Sequence, residues 1–297
     1  MTYSITHYQD GFIDDQERVG KEVTRTWTFF FQTPAEQLYQ LYSQPDFDRE
    51  TRHYCFKDNE LVGFLTSKVG KDDTSKASLE FPLVLPGHEP CESLLFERAL
   101  EVLRRKGVRI VSTRVSDQWG KTLEMAEKWG YSFSEVVSVV YGMDVDTASI
   151  EDLPDSEDIV PYDHEKDFDQ MVDIFVNNFN MTLEEARANF ESLEKSGDQV
   201  IAHLVIREDG KIVARALVLR SEDDPAQART GAFYVTEENQ RKQLLLKLIK
   251  ICKEAGISML ATSLFGDQIS QKDRFVPLYE SLGFTHRCTV SSYVKHI

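Results

Sequence analysis

The sequence lacks the features that would place it in a membrane or export class. It contains no uninterrupted apolar run of about 18 residues, so a membrane span is not expected. The first residues, Met1 to Thr6, contain neither the basic segment nor the apolar stretch of a secretory signal. We therefore expect a cytoplasmic protein that does not bind membranes.

Cysteine is scarce, and basic residues are outnumbered. The four cysteines, Cys55, Cys91, Cys252 and Cys288, lack the spacing of a metal site or redox motif, which favours free thiols and no bound metal. Lys and Arg total 34 against 50 Asp and Glu, a net charge of −16. Nucleic acid is not an expected partner, because its phosphates would be repelled. An acidic surface is compatible with a cationic substrate such as an amine, although solubility alone is the simpler interpretation.

The most informative feature that is present is an internal repeat. Gly107, at the end of a helical segment, has its counterpart in Gly256, 149 residues further on. Asp58, at a turn before a strand, has its counterpart in Asp209, 151 residues further on. Repeats of about 20–50 residues indicate a solenoid, whereas this offset is the length of a whole domain. Two copies of one domain are predicted.

We predict a first domain over residues 1–148, a linker over 149–158 and a second domain over 159–297. The linker is acidic, poor in large apolar residues and interrupted by Pro154. In each half, hydrophobic periodicity predicts strands followed by helix, strand, helix and strand. The fold class is therefore α+β (mixed α/β), with a mostly antiparallel sheet flanked by helices in each domain.

A motif near the end of the chain links this element order to a known family. The segment Leu278-Tyr279-Glu280-Ser281-Leu282-Gly283-Phe284 resembles the Tyr-Glu-Lys-Leu-Gly-Phe motif of the GNAT superfamily of N-acetyltransferases. Both halves share the element order, so the resemblance covers nearly the whole chain and implies tandem GNAT-like domains. It also implies that Tyr279 is the general acid that protonates the departing thiolate. The alternative is a tyrosine that packs in the core. The first half has Ala126 at this place.

The second family signature, Arg-x-x-Gly-x-Gly or Ala, is degenerate in both halves. In the family, backbone N–H groups at a helix N-terminus hold the pyrophosphate of coenzyme A there. The first half has Pro86-Gly87-His88-Glu89-Pro90, and the second half has a loop without glycine. The resemblance implies cofactor contacts in the second half from the fourth strand and the following helix start: Phe233, Tyr234, Val235, Gln240, Arg241, Lys242, Gln243 and Leu244.

The resemblance implies an acetyl-CoA-dependent N-acyltransferase in which an amine attacks the thioester directly. Tyr279 and the basic pair Arg241 and Lys242 favour the second domain as the catalytic copy. The alternative is a catalytically inactive GNAT-like binding or scaffold protein. The acceptor, a small-molecule or peptide amine, and the oligomeric state are not predicted. The base is unassigned, and a water chain that ends on an acidic residue is the default. Glu80 could act as a base through water and His88 could have a catalytic role, although a solvent-facing strand residue and a surface histidine are the simpler interpretations.

Overall fold

The computed structural model describes residues 2–30, 32–148, 158–179, 181–221 and 224–297. These residues contain nine α-helices and fourteen β-strands. The helices are α1 (Ile13–Thr24), α2 (Ala35–Tyr42), α3 (Pro90–Arg105), α4 (Thr122–Lys128), α5 (His164–Asn178), α6 (Leu183–Lys195), α7 (Glu238–Glu254), α8 (Asp267–Ser270) and α9 (Lys272–Ser281). The strands are β1 (Tyr3–His7), β2 (Arg52–Lys57), β3 (Glu60–Val69), β4 (Lys76–Leu79), β5 (Leu83–Val84), β6 (Ile110–Val115), β7 (Ser132–Asp144), β8 (Ile159–Pro161), β9 (Val200–Glu208), β10 (Lys211–Arg220), β11 (Gln227–Thr230), β12 (Tyr234–Val235), β13 (Met259–Phe265) and β14 (Thr285–His296).

The chain forms two compact units. The first contains Met1–Val139 and Cys288–Ile297, and the second contains Val140–Arg287. β7 therefore starts in the first unit and ends in the second, while β14 ends in the first. These limits differ from the contiguous halves 1–148 and 159–297, because the last ten residues pair with the first unit: Ser291 lies opposite Val115 on β6. Of the predicted linker, residues 149–157 lie outside the described residues.

Both units are mixed α/β with mostly antiparallel pairing, which confirms the predicted fold class. In the first unit the strand order begins β1-β2-β3-β4-β6-β14. In the second it ends β13-β11-β10-β9-β8, with β12 paired to β10. The pairs β4–β6 and β11–β13 are parallel. Parallel neighbours need a crossover, and α3 and α7 provide it.

Helices cover the sheet of each unit. In the first unit, α3 buries Leu95, Ala99 and Leu103 against the sheet. α1 and α2 bury a second cluster that includes Ile13 and Leu38. α1 was not predicted, since its buried face includes the polar side chains Gln16 and Thr24 beside few apolar ones. In the second unit, α5 and α6 form a cluster of Met171, Phe175 and Phe190, among others.

Two local features complete the description. Cys55 on β2 and Cys91 on α3 are joined as a disulfide, with Cα atoms 6.6 Å apart. The expectation of four free thiols is therefore wrong for this pair and confirmed for Cys252 and Cys288, which are free and buried. Among the helices of the described residues, none has the length and apolar character that crossing a bilayer requires.

Candidate active site

In each unit the two parallel strands separate at the equivalent position, and this separation is called the parting below. β4 and β6 pair over residues 76–78 and 110–112. β11 and β13 pair over residues 227–229 and 259–261. Beyond these registers the chain turns away, to pair as β5 with β3 in the first unit and as β12 with β10 in the second. Parallel pairing thus ends at the same register position in both copies.

The registers align the two copies residue by residue. Two positions beyond the last parallel pair, Glu80 of the first unit corresponds to Gly231 of the second, and Arg114 corresponds to Ser263. Backbone bonding agrees with this alignment, because Glu80 N–H donates to the carbonyl of Thr66 (3.0 Å) as Gly231 N–H donates to that of Leu217 (2.8 Å). One copy thus has two charged side chains at the parting, and the other has none.

Gly231 cannot be replaced by a larger residue without movement of its neighbours. A Cβ atom at this position would lie 2.9 Å from Cδ2 of Leu217, which is closer than van der Waals contact allows. Leu217 is itself buried. In the second unit, Leu217 therefore occupies the space that corresponds to the Glu80 side chain of the first unit.

The predicted cofactor amides of the second unit have acceptors within the protein. Oε1 of Gln240 accepts from the backbone N–H groups of Thr236 (3.1 Å) and Glu237 (3.0 Å). The Glu237 carboxylate accepts in turn from the Gln240 N–H, which makes a capping box at the start of α7. The loop before α7 consists of Thr236 and Glu237, whereas the equivalent loop before α3 spans residues 85–89.

The other predicted residues of the second unit fall into three groups. Phe233, Arg241 and Leu244 are buried, Tyr234 and Val235 form β12 and are half-buried, and Lys242 and Gln243 are exposed on the surface of α7. The structure therefore brings Phe233 and Arg241 together in the interior, and leaves Lys242 and Gln243 facing solvent.

Tyr279 lies in this interior group. Its side chain is fully buried on α9, and its hydroxyl accepts a hydrogen bond from Nη1 of Arg241 (3.3 Å). The Arg241 guanidinium lies 5.0 Å from the ring centroid of Phe233 and 4.7 Å from that of Phe275. Its Nε is buried without a hydrogen-bond partner in the described part of the chain. A buried guanidinium with one unsatisfied N–H group favours an anionic ligand, and this is the observation that supports the second unit as a cofactor site.

The first unit has a large cavity on one side of its parting. The cavity has a volume of about 490 Å³, within the range of small-molecule sites. Segments from α1 to α2, from β2 to β6 and from the turn before α4 contribute to its lining. The residues at its centre are Trp27, Phe30, Arg52, Glu80, Arg114 and Trp119.

Glu80 has the environment of a general base. Its side chain is exposed and lines the cavity, and the protein around it removes part of its hydration. This desolvation raises the pKa of the carboxyl group, and the positive charge of Arg114 opposes the rise. Glu80 is exposed, as the interpretation of a solvent-facing strand residue expected, and the same side chain also lines the cavity. His88 instead contacts the hydroxyl of Tyr3 through Nδ1 (3.3 Å) and does not line this cavity.

A narrower groove of about 280 Å³ lies on the other side of the parting. Phe81, Pro82, Val84 and Met125 give it apolar walls, and Trp27, Phe81 and Thr122 also line the larger cavity. The groove leads to the start of α3, where the Glu89 carboxylate accepts from Gly87 N–H (3.2 Å). Backbone N–H groups of Glu89 and Gly87 lower the pKa of this exposed carboxyl.

The groove suits the apolar arm of a pantetheine thioester better than it suits a pyrophosphate. Its charged lining residues are Glu89, Glu92 and Lys121, so one cation faces two carboxylates. Because Glu89 is exposed, its side chain can leave the loop amides without losing buried contacts. In the second unit the equivalent acceptor, Gln240, is packed in the interior.

One backbone donor is available where the clefts open. The N–H of Phe81, between Glu80 and Pro82, has no hydrogen-bond acceptor among the described residues. Pro82 has no N–H group, so β5 cannot use the adjacent position. A free backbone donor beside a splayed strand is suited to a carbonyl oxygen that gains negative charge.

The pair Glu80 and Arg114 was not identified from sequence as a unit, although the signal was present. The offset between the two copies falls from 151 residues at Asp58 to 149 at Gly107, so the second copy is two residues shorter between these points. The shorter loop before α7 lies within this stretch. Aligning the copies on both sides of that loop would have set Glu80 against Gly231. The motif around Tyr279 drew the prediction to the second unit instead.

Comparison with solved structures identifies the fold. A tandem GNAT protein from the clavulanic acid biosynthesis pathway matches with a TM-score of 0.71 and 14% identity, covering 99% of this chain and 98% of that one. A GCN5-related N-acetyltransferase from Sphaerobacter thermophilus matches with a TM-score of 0.68 and 14% identity, covering 99% and 95%. A GNAT-family acetyltransferase from Colwellia psychrerythraea gives 0.68 and 15%, covering 98% and 99%.

These likenesses extend over nearly the full length of each chain, so the predicted tandem GNAT fold is confirmed. At 14–15% identity they establish the architecture and leave the chemistry to the residues of this chain. No protein-family model matches the sequence, and no curated protein matches it either.

Proposed function

We propose that this protein transfers an acyl group from acetyl-CoA to an amine, and that the first unit is the reacting copy. The observation that carries the proposal is the cavity at the parting of β4 and β6, where a desolvated carboxylate, Glu80, faces the space. The second unit has Gly231 at the same position.

Glu80 is the proposed general base. An amine must lose a proton to attack or as it attacks, and a carboxylate whose pKa is shifted upward is a better acceptor than an exposed one. Desolvation by the cavity walls causes that shift here.

The remaining parts of the first cleft are suited to holding a thioester. When bound, the cofactor supplies an activated acyl carbonyl. The apolar walls of the narrow groove, Phe81, Val84 and Met125, would hold the arm that carries it. The Phe81 N–H is the available donor for its carbonyl oxygen, and Lys121 is the available cation for its phosphates.

The second unit remains the rival reacting copy through Tyr279 and Arg241. A hydroxyl that is fully buried and accepts from Arg241 must first be uncovered before it can protonate a thiolate. The structure supports a packing role for it at least as well. The role of Tyr279 as general acid therefore stays a prediction, as do the cofactor contacts of Gln240 to Leu244.

The test is acetyl-CoA-dependent release of free thiol in the presence of a panel of amines. We expect Glu80→Gln to lower kcat/KM about 10²-fold or more, since general bases contribute about 10²–10⁴-fold. Tyr279→Phe should leave kcat/KM near the wild-type value. The reverse pattern would assign the reaction to the second unit.

A binding measurement distinguishes an inactive protein from an active one whose acceptor was not in the amine panel. Acetyl-CoA at 100 times its dissociation constant should stabilise the fold by about 2.7 kcal/mol in a thermal-shift titration. If millimolar acetyl-CoA gives neither a shift nor thiol release, the catalytically inactive GNAT-like protein is the correct description.

A further inference from the structure

The charges in the large cavity of the first unit do not match the charge of the whole protein. The chain has a net charge of −16, yet the charged side chains that line this cavity are Arg52, Arg114 and the single carboxylate Glu80. An excess of cations inside an acidic protein is not a solubility feature. It indicates a ligand that brings a negative charge.

Arg52 contributes to this positive potential without a carboxylate partner. It is buried, and its guanidinium donates to the hydroxyl of Tyr42 (3.2 Å), to Oγ1 of Thr51 (2.9 Å) and to the carbonyl of Ser67. All of these acceptors are neutral. The cation is therefore held in place by hydrogen bonds, but its charge is not cancelled by them.

Arg114 and Glu80 face each other across the opening between the strands. Each lies two residues beyond the last parallel pair, Ser78 and Ser112, so alternation places both on the same face. Within the described part of the chain, no hydrogen bond or ion pair engages Arg114, although its charge acts on the Glu80 carboxyl. The gap between the two thus has an anionic side and a cationic side.

An aromatic wall lies next to this charged gap. It consists of Trp27, Phe30 and Trp119: the two indoles are nearly parallel at 6.2 Å, and the Phe30 ring meets them edge-on at 4.8 and 4.9 Å. Trp119 Nε1 donates to the carbonyl of Thr28 (2.8 Å), which fixes the segment that carries the wall. The wall offers a rigid apolar surface to a flat or branched hydrocarbon group.

We propose that the acceptor is a free α-amino acid with an apolar or aromatic side chain. Its amine would face Glu80, its carboxylate Arg114 and its side chain the aromatic wall. This inference rests on the proposed function and names its substrate class. The neutral amine nitrogen bonds the acyl carbon, the carbon–sulfur bond breaks and the thiolate leaves. The proton lost by nitrogen passes to Glu80 and then through water to the thiolate, which restores the carboxylate. The products are an N-acyl amino acid and free thiol.

Three probes that differ by one group test the assignment. L-phenylalanine carries both charges, phenethylamine lacks the carboxylate, and 3-phenylpropanoate lacks the amine. We expect thiol release with L-phenylalanine at a kcat/KM at least about tenfold above that with phenethylamine, as one charge-assisted contact implies. Arg114→Met should reduce this ratio to near one, and Arg114→Lys should restore part of it. Arg104→Met, which changes an exposed arginine of α3, is the matched control and should keep the ratio.

Binding measured without cofactor distinguishes failure of this inference from failure of the proposed function. L-phenylalanine and 3-phenylpropanoate should bind by calorimetry and lose at least about tenfold in affinity in Arg114→Met. Such binding without thiol release would keep the amino-acid site and overturn acyl transfer. Phenethylamine that reacts or binds as well as L-phenylalanine, with no effect of Arg114→Met, would overturn the amino-acid site.

Discussion

The two units share one strand register but differ in what occupies the place where the parallel strands part. In the first, Glu80 and Arg114 face an open cavity, and a five-residue loop leads into α3. In the second, Gly231 and Ser263 hold these positions, the loop has two residues, and Arg241 is packed between two phenylalanine rings. The difference teaches that two copies of a duplicated domain can keep one scaffold while different side chains occupy the equivalent positions.

A family motif can therefore point to the copy that lacks the charged pair Glu80 and Arg114. The segment around Tyr279 is also a packing motif, because it ends α9 and positions Phe284 in the core. Its tyrosine can be retained for burial alone. Glu80 and Arg114, by contrast, are exposed side chains that line a cavity, so packing of the core does not account for them.

The largest expected effect concerns the pH dependence of the first unit. Because burial raises the pKa of Glu80, its base form is lost as the pH falls through that raised value. The wild-type kcat/KM should therefore fall on the acid side of the profile at a higher pH than an ordinary glutamate would give. Glu80→Gln should lower the plateau about 10²-fold or more and remove this acid limb. An acid limb that persists in Glu80→Gln would assign the base elsewhere.

A matched pair of substitutions tests the packing difference. Gly231→Val should destabilise the protein by about 1–3 kcal/mol in denaturant unfolding, because its side chain would overlap Leu217. The equivalent change in the first unit, Glu80→Val, should cost less than about 0.5 kcal/mol, since that side chain faces open space. Equal costs at the two positions would contradict the assignment of the open cleft to the first unit.

The fold was largely predictable from the sequence, whereas the site was only partly so. Spacing of apolar residues located β6 at 110–115, and Thr182 with Glu185 located the start of α6, where the capping box is present. Both signals are local. The site depends on where the strands part, and the break after Leu79 has no local signal beyond Pro82. Glu80 and Arg114 lie at equivalent positions because of the register between two segments that are more than 30 residues apart in the sequence.

A smaller effect is expected for the buried tyrosine of the second unit. Tyr279→Phe removes the acceptor of the Arg241 guanidinium and should lower the free energy of unfolding by about 1–3 kcal/mol. Turnover of the folded variant should be unchanged. Tyr141→Phe, which changes a neighbouring ring 5.7 Å away, is the control and should cost less. A Tyr279→Phe variant of full stability that no longer releases thiol would restore the general-acid role.

The smallest expected effect concerns the loops that precede the two crossover helices. Glu89→Gln removes an exposed negative charge beside the Gly87 amide. This change should tighten acetyl-CoA binding about fivefold, which corresponds to about 1 kcal/mol of binding free energy. Glu237→Gln makes the same change in the second unit and should leave the dissociation constant unchanged. Tightening by Glu237→Gln alone would move the cofactor to the second unit.

The most direct measurement of the central claim is backbone hydrogen exchange with and without saturating acetyl-CoA, resolved by peptide. The account predicts slower exchange over residues 81–89 and 120–125, which border the groove of the first unit, and little change over 233–243. Protection confined to residues 233–243 and the end of α9, with residues 81–89 unaffected, would contradict it.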